Sequence, residues 1–218
     1  MKPTISCLIA TVAAMTSSAA TANTHADYWT WGPLERTSQP FWINNNIPSG
    51  CRWTITTAAQ KWTDANLRFT FVWSGYVTPQ SWSYDSFQND NISTTANTVD
   101  TQVEGGHTDF ADSAAQTEWR TRSWDPATGR YVFMDGDVVF NYNRFSTDLW
   151  CSSTATPTNM YDVATVILHE MGHVIGLEHD GDDTANVTVV HNPLYGGMMK
   201  RNLTARDVER AVYLYGAP

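Results

Sequence analysis

Residues 169 to 180 read His-Glu-Met-Gly-His-Val-Ile-Gly-Leu-Glu-His-Asp. Histidines four positions apart on a helix share one face, so His169 and His173 can offer imidazoles to a single ion. Glu170 follows the first of them directly, where its carboxylate can reach a water on that ion without ligating it. Gly176 can take the left-handed backbone that ends a helix, which turns the chain back and brings His179 to a third position. Three neutral nitrogens with a fourth position open is the donor set of catalytic zinc; structural zinc takes four protein ligands. The chemistry expected is hydrolysis. Zinc lowers the pKa of its bound water from about 16 towards about 7. Glu170 takes that proton as the water attacks a carbonyl and returns it to the leaving group.

A helix over 160–176 is expected to carry these residues. Asn159 caps it with Asp162 three positions on, and Val163, Val166, Ile167, Met171 and Val174 form its buried stripe. A second helix over 204–215 has Thr204 as cap, Asp207 three later, Leu203 and Val208 as a hydrophobic staple, and Gly216 as stop. Earlier in the chain, Phe41-Trp42-Ile43 reads as a strand. Ile55, Ala58, Ala59 and Trp62 share a helix face, and Leu67, Phe69, Phe71 and Trp73 alternate as a half-buried strand does. Residues 131–134 and 137–140 look like two strands around the turn residues Asp135-Gly136. Between Ser74 and Arg130 no element is assigned.

The chain has 218 residues, enough for one domain with a real hydrophobic core. Lys2, the apolar run from Ile5 to Met15 and Ala20-Thr21-Ala22 read as a signal peptide over 1–22, with the working domain over 23–218. That run is short of the roughly 20 residues a membrane span needs, so secretion is expected. Loss of the leader removes Cys7. Cys51 and Cys151 then remain for a single disulfide, with two free thiols as the alternative. The formal charge of −9, without a basic cluster, argues against nucleic acid and anionic membrane as partners. The ten tryptophans are read as packing before carbohydrate binding.

At every fixed position residues 169–179 match His-Glu-x-x-His-x-x-Gly-x-x-His, and the chain thus resembles the metzincin metalloproteases. Within that clan it is most similar to the matrixins. The strand-helix-strand opening, Gly-Asp-Val-Val-Phe-Asn at 136–141 and the ending at 202–216 carry that likeness. The resemblance implies an α+β fold, a twisted, mainly parallel mixed sheet with two long helices. It implies a secreted zinc endopeptidase, monomeric, acting on protein or peptide, with one catalytic zinc on His169, His173 and His179 and Glu170 as base. A methionine turn is expected at Met199, with Met198 as rival. The segment from Val187 to Tyr195 should line the pocket for the side chain after the scissile bond, and Val187, Val189 and Val190 hint at an apolar preference.

Departures from the matrixin pattern carry their own expectations. No inhibitory cysteine precedes the domain, so latency through a propeptide cysteine is not expected. Val139 stands where a structural zinc would find a histidine, and with only His107 in that region no second zinc is expected. Lys200-Arg201 replaces the usual proline after the methionine turn, and Asp180 is as typical of the reprolysin and snapalysin branches. Asp180 either orients the third ligand or is a solvated turn residue. With Asp182 and Asp183 it could hold calcium, though their spacing fits no calcium loop. Tyr195 is not assigned to the metal, and His191 and His107 are read as surface residues. Sequons stand at Asn91, Asn186 and Asn202. A secreted module using zinc only structurally, a tryptophan-rich carbohydrate binder with a relic site, or a peptidase restricted to one partner or to short peptides are the rival readings. Glu170 argues against the first two.

Overall fold

The computed structural model describes residues 30, 32–77, 101–106, 113–141, 148–180 and 187–218. The leader, His107, Asp182, Asp183 and the sequons at Asn91 and Asn186 lie outside them. No helix among the described residues is long and apolar enough to cross a membrane.

Strand β1 (Ser38–Asn44), helix α1 (Arg52–Thr63) and strand β2 (Thr70–Val77) make the opening, with β1 and β2 parallel. Phe41 and Ile43 point into the core, and α1 buries Ile55, Ala58, Ala59 and Trp62, the face its periodicity predicts. Leu67, Phe69 and Phe71 are buried as expected, but Trp73 is 51% exposed. The register explains the difference. Phe41 pairs with Trp73 while Trp42 pairs with Gly75, so an extra residue bulges out of β2 there and re-aims its side chains.

Strands β3 (Thr101–Gly106), β4 (Ala115–Asp125) and β5 (Arg130–Asn141) complete a sheet of order β2-β1-β3-β5-β4. All neighbours are parallel except β4, which runs antiparallel to β5 and forms one edge. The expected turn at Asp135-Gly136 is not a turn: both residues lie inside the continuous strand β5. The chain reverses at 126–129 instead, where Asp125 accepts from Ala127 N at 2.9 Å and Thr128 Oγ1 at 2.8 Å. Gly136 serves a close approach. A Cβ there would lie 3.1 Å from the Trp119 ring and 3.4 Å from the Cα of Val174.

Short strands β6 (Leu149–Trp150) and β7 (Tyr161–Asp162) pair in parallel and lead into helix α2 (Val163–Val174). This helix starts later than expected, because Asp162 and not Asn159 is its cap, accepting from Thr165 N at 3.0 Å. The predicted stripe is also too narrow: every residue of α2 but Ala164 is buried, since the helix lies between the sheet and α1. Trp62 of α1 donates its indole N–H to Leu168 O at 3.0 Å across that contact. Helix α3 (Ala205–Tyr215) has the expected capping box of Thr204 and Asp207 and the expected stop at Gly216, φ 81°. The described residues thus hold three helices of similar length, α1 in the expected strand-helix-strand opening and α2 and α3 near the two long helices that the resemblance implies. Cys51, at the start of α1, is bonded to Cys151, in the approach to α2, with Cα atoms 5.0 Å apart.

Candidate metal centre

The three histidines converge. His173 Nε2 lies 3.0 Å from His169 Nε2 and 3.2 Å from His179 Nε2. His169 Nδ1 is 2.9 Å from Val189 O and His173 Nδ1 is 2.7 Å from Leu177 O. A carbonyl only accepts, so both Nδ1 atoms carry the proton and both Nε2 atoms present lone pairs. Burial pushes the His169 pKa down to about 3 and holds His173 and His179 below the ordinary imidazole range. Neutral lone pairs facing one another at 3 Å repel unless a cation lies among them, and the set matches the ligands zinc favours. Among the described residues this is the one group of three metal-ligating side chains so placed.

Gly176, at φ 90°, makes the reversal that delivers His179. A Cβ on it would fall 1.7 Å from Gly32 O, because Thr30 and residues 32–35 strap across the end of α2. Thr30 bridges Leu177, Pro33 O accepts from Phe133 N at 3.1 Å, and Leu34 N donates to the Tyr215 hydroxyl at 2.9 Å. That hydroxyl in turn donates to Ile175 O at 3.0 Å.

Helix α3 holds the loops around the histidines. Asp207 accepts from Val189 N at 3.0 Å, the same residue whose carbonyl orients His169. Burial raises the Asp207 pKa, against hydrogen bonds from Thr204 and Val189 that lower it. Asp180 is not a solvated turn residue: it is 5% exposed, paired through both oxygens with Arg206 and 3.9 Å from Arg210 Nη1. Arg210, fully buried and with its pKa lowered by burial, also donates to Glu178 O. Asp180 thus braces the turn just after His179.

Glu170 is 5% exposed, and burial pushes its pKa up to about 7, with the Thr117 hydroxyl bond pulling the other way. It lines a cavity of about 490 Å³ with the three histidines, residues 113–117 and Trp119 from β4 and its approach, Tyr161, Val166, and 192–194. The edge strand β4 therefore forms one wall and the segment 192–194 another.

The other sequence expectations divide. Asn192, Pro193 and Leu194 do line the cavity, but Val189 and Val190 are fully buried in the core and Val187 is 54% exposed, so none of the three valines does. Met199 is 45% exposed, its sulfur accepting from Thr156 N at 3.5 Å, and neither it nor the half-buried Met198 lines the cavity. His191 is half-buried, and its proximity lowers the His179 pKa, so it is no ordinary surface residue. Tyr195 is 53% exposed. Lys200-Arg201 has a structural role: Lys200 donates to Thr188 O at 2.6 Å, while Arg201 pairs with Asp162 at 2.6 Å and reaches the carbonyls of 152–154.

Thr117 and Trp119 escape the sequence reading altogether. Both lie on β4 within the stretch left unassigned, although Gln116, Glu118 and Arg120 alternate with Thr117, Trp119 and Thr121, a strand signal.

A family model described as matrixin matches residues 48–216. A probable matrix metalloproteinase of invertebrate iridescent virus 3 is 24% identical over 186 residues, covering 80% of this chain and 46% of the viral protein. The chain thus spans less than half the length of that relative. Among solved structures, high choriolytic enzyme 1, a hatching enzyme zinc-protease from the medaka fish Oryzias latipes, aligns over 90% of this chain and 98% of its own, with a TM-score of 0.40 and 13% identity. The family model spans helices α1, α2 and α3 and the histidine cluster, and on that match the chain belongs to the matrixin family.

Proposed function

We propose that the chain is a secreted zinc-dependent endopeptidase with its domain over 23–218, its metal held by His169, His173 and His179, and Glu170 as general base. The observation that carries this reading is the convergence of the Nε2 atoms of three histidines beside a buried carboxylate in one cavity walled by a sheet edge. A zinc ion held there supplies Lewis-acid charge, acidifying a water and polarising a carbonyl. Glu170 stands next to the first ligand in sequence and in the same cavity, where its carboxylate takes the proton from the attacking water and hands it to the leaving amine. Strand β4 is the edge of the sheet among the described residues, and on it an extended peptide adds as a further strand, with the reacting bond carried towards Glu170. The disulfide between Cys51 and Cys151 supports an oxidising destination.

The test compares cleavage of unfolded casein by wild type, by Glu170→Gln and by wild type with a zinc chelator, with metal content measured in each. Cleavage by untreated wild type only, with one zinc retained in Glu170→Gln, is the expected result. Zinc bound without cleavage points to a narrow-specificity enzyme or a binding module, and absence of zinc overturns the assignment.

A further inference from the structure

Two side chains of β4 reach across to α2. Trp119 donates its indole N–H to His173 O at 2.9 Å, and Thr117 Oγ1 lies 2.7 Å from Glu170 Oε2 and 3.0 Å from Glu170 O. A hydroxyl has one proton. The shorter contact and the stronger acceptor both lie with the carboxylate, and 2.7 Å is a well-formed O–H···O length. Oε2 is thereby tied to the sheet, while Oε1 has no hydrogen-bond partner among the described residues and belongs to a side chain that lines the cavity.

Thr117 is suited to hold another group still. It is 4% exposed, it is β-branched and therefore stiff about χ1, and its strand is registered on β5 opposite Val138. Glu170 is the reverse, a side chain with three free torsions, fixed at its Cα by the helix and without other support at its carboxylate. The difference in stiffness decides which of the two positions the other.

We propose that Thr117 is a positioning residue of the active site: its hydroxyl holds Glu170 by Oε2 and so aims Oε1 at the water and leaving group in the cleft. This rests on the peptidase reading above. The edge strand then does two jobs, aligning the substrate through its backbone and the base through a side chain, so that a shift of β4 moves both together.

The test uses Thr117→Val, which keeps the shape and loses the donor, and Thr117→Ser, which keeps the donor. In steady-state cleavage of a peptide substrate, Thr117→Val is expected to lower kcat about 10- to 100-fold, the loss of a hydrogen bond to a charged group, with KM little changed. Thr117→Ser restores most of that kcat, and zinc content stays at one in both. A second readout needs neither metal nor turnover: Thr117→Val lowers the Tm of the metal-free protein by roughly 3 to 10 °C with Glu170 present, and clearly less in a Glu170→Ala background. Wild-type kcat in Thr117→Val, equal losses in Val and Ser, or additive Tm changes overturn the proposal. If wild type itself cleaves nothing, the peptidase reading fails, and the Tm cycle still decides whether the hydroxyl holds the carboxylate.

Discussion

Asp207 holds His169 through one intervening residue. Val189 donates its N–H to the Asp207 carboxylate at 3.0 Å and accepts the Nδ1–H of His169 on its carbonyl at 2.9 Å. The same carboxylate completes the capping box of α3, so one buried side chain sets both the start of a helix and the orientation of a histidine in the cluster.

Replacing it separates the two effects. Asp207→Ala removes a cap worth about 1 kcal/mol and strands the buried Val189 N–H at a further 1 to 3 kcal/mol or so. Thermal unfolding is expected to show a Tm lower by roughly 4 to 16 °C. A competition titration with a zinc chelator should show affinity weakened about 10- to 100-fold, as for other groups that orient a metal-bound histidine. Unchanged zinc affinity would refute the link through Val189.

Gly176→Ala places a methyl against the backbone of residue 32, 1.7 Å from its carbonyl oxygen, at a φ of 90° that side chains rarely adopt. Backbone cannot swing aside as a side chain can, so the strap or the turn to His179 must move. The expected outcome is a stability loss of at least about 2 kcal/mol together with loss of stoichiometric zinc, measured by chemical denaturation and by metal analysis of the soluble fraction.

Chelation should destabilise the intact protein, since it leaves three imidazole Nε2 atoms crowded together, two of them presenting lone pairs. With free zinc at about 1,000 times its Kd the ion contributes about 4 kcal/mol, so a Tm drop of roughly 8 to 16 °C is expected. One equivalent of zinc should reverse it, which calorimetry with and without chelator will show.

Reduction of Cys51–Cys151 opens a loop 100 residues long. The chain-entropy model puts that at roughly 4 to 5 kcal/mol, a Tm decrease of roughly 8 to 20 °C. The double substitution Cys51→Ser, Cys151→Ser should match the reduced wild type in unfolding experiments; a difference smaller than about 1 kcal/mol from oxidised wild type would show that the bridge constrains little.

What is legible in the sequence is what depends on near neighbours along the chain. The histidine spacing, the buried face of α1 and the capping box at Thr204 are set within a turn or two of helix, and each stands in the structure as read. What is not legible depends on what lies across the space. Asp135-Gly136 carries a turn's composition, yet Gly136 is small because Trp119 and the end of α2 crowd it. Val189 and Val190 read as a pocket wall only while their partners are unknown; Val190 Cγ2 in fact sits 3.0 Å from where a Cβ on Gly172 would be, inside the core. Asp180 looks like a turn residue until Arg206 and Arg210 arrive from α3.

The strap across α2 also has a meaning in time. Leu34 N–H is bonded to the hydroxyl of Tyr215, 181 positions later, and that hydroxyl is bonded to Ile175 beside the turn to His179. Arg206, Asp207 and Arg210 come from the same late segment. A chain growing from its N-terminus therefore displays its histidines well before it can hold them in place, and the centre matures only when α3 has emerged and docked. The order of synthesis thus places the bracing of the histidine cluster after the making of α3.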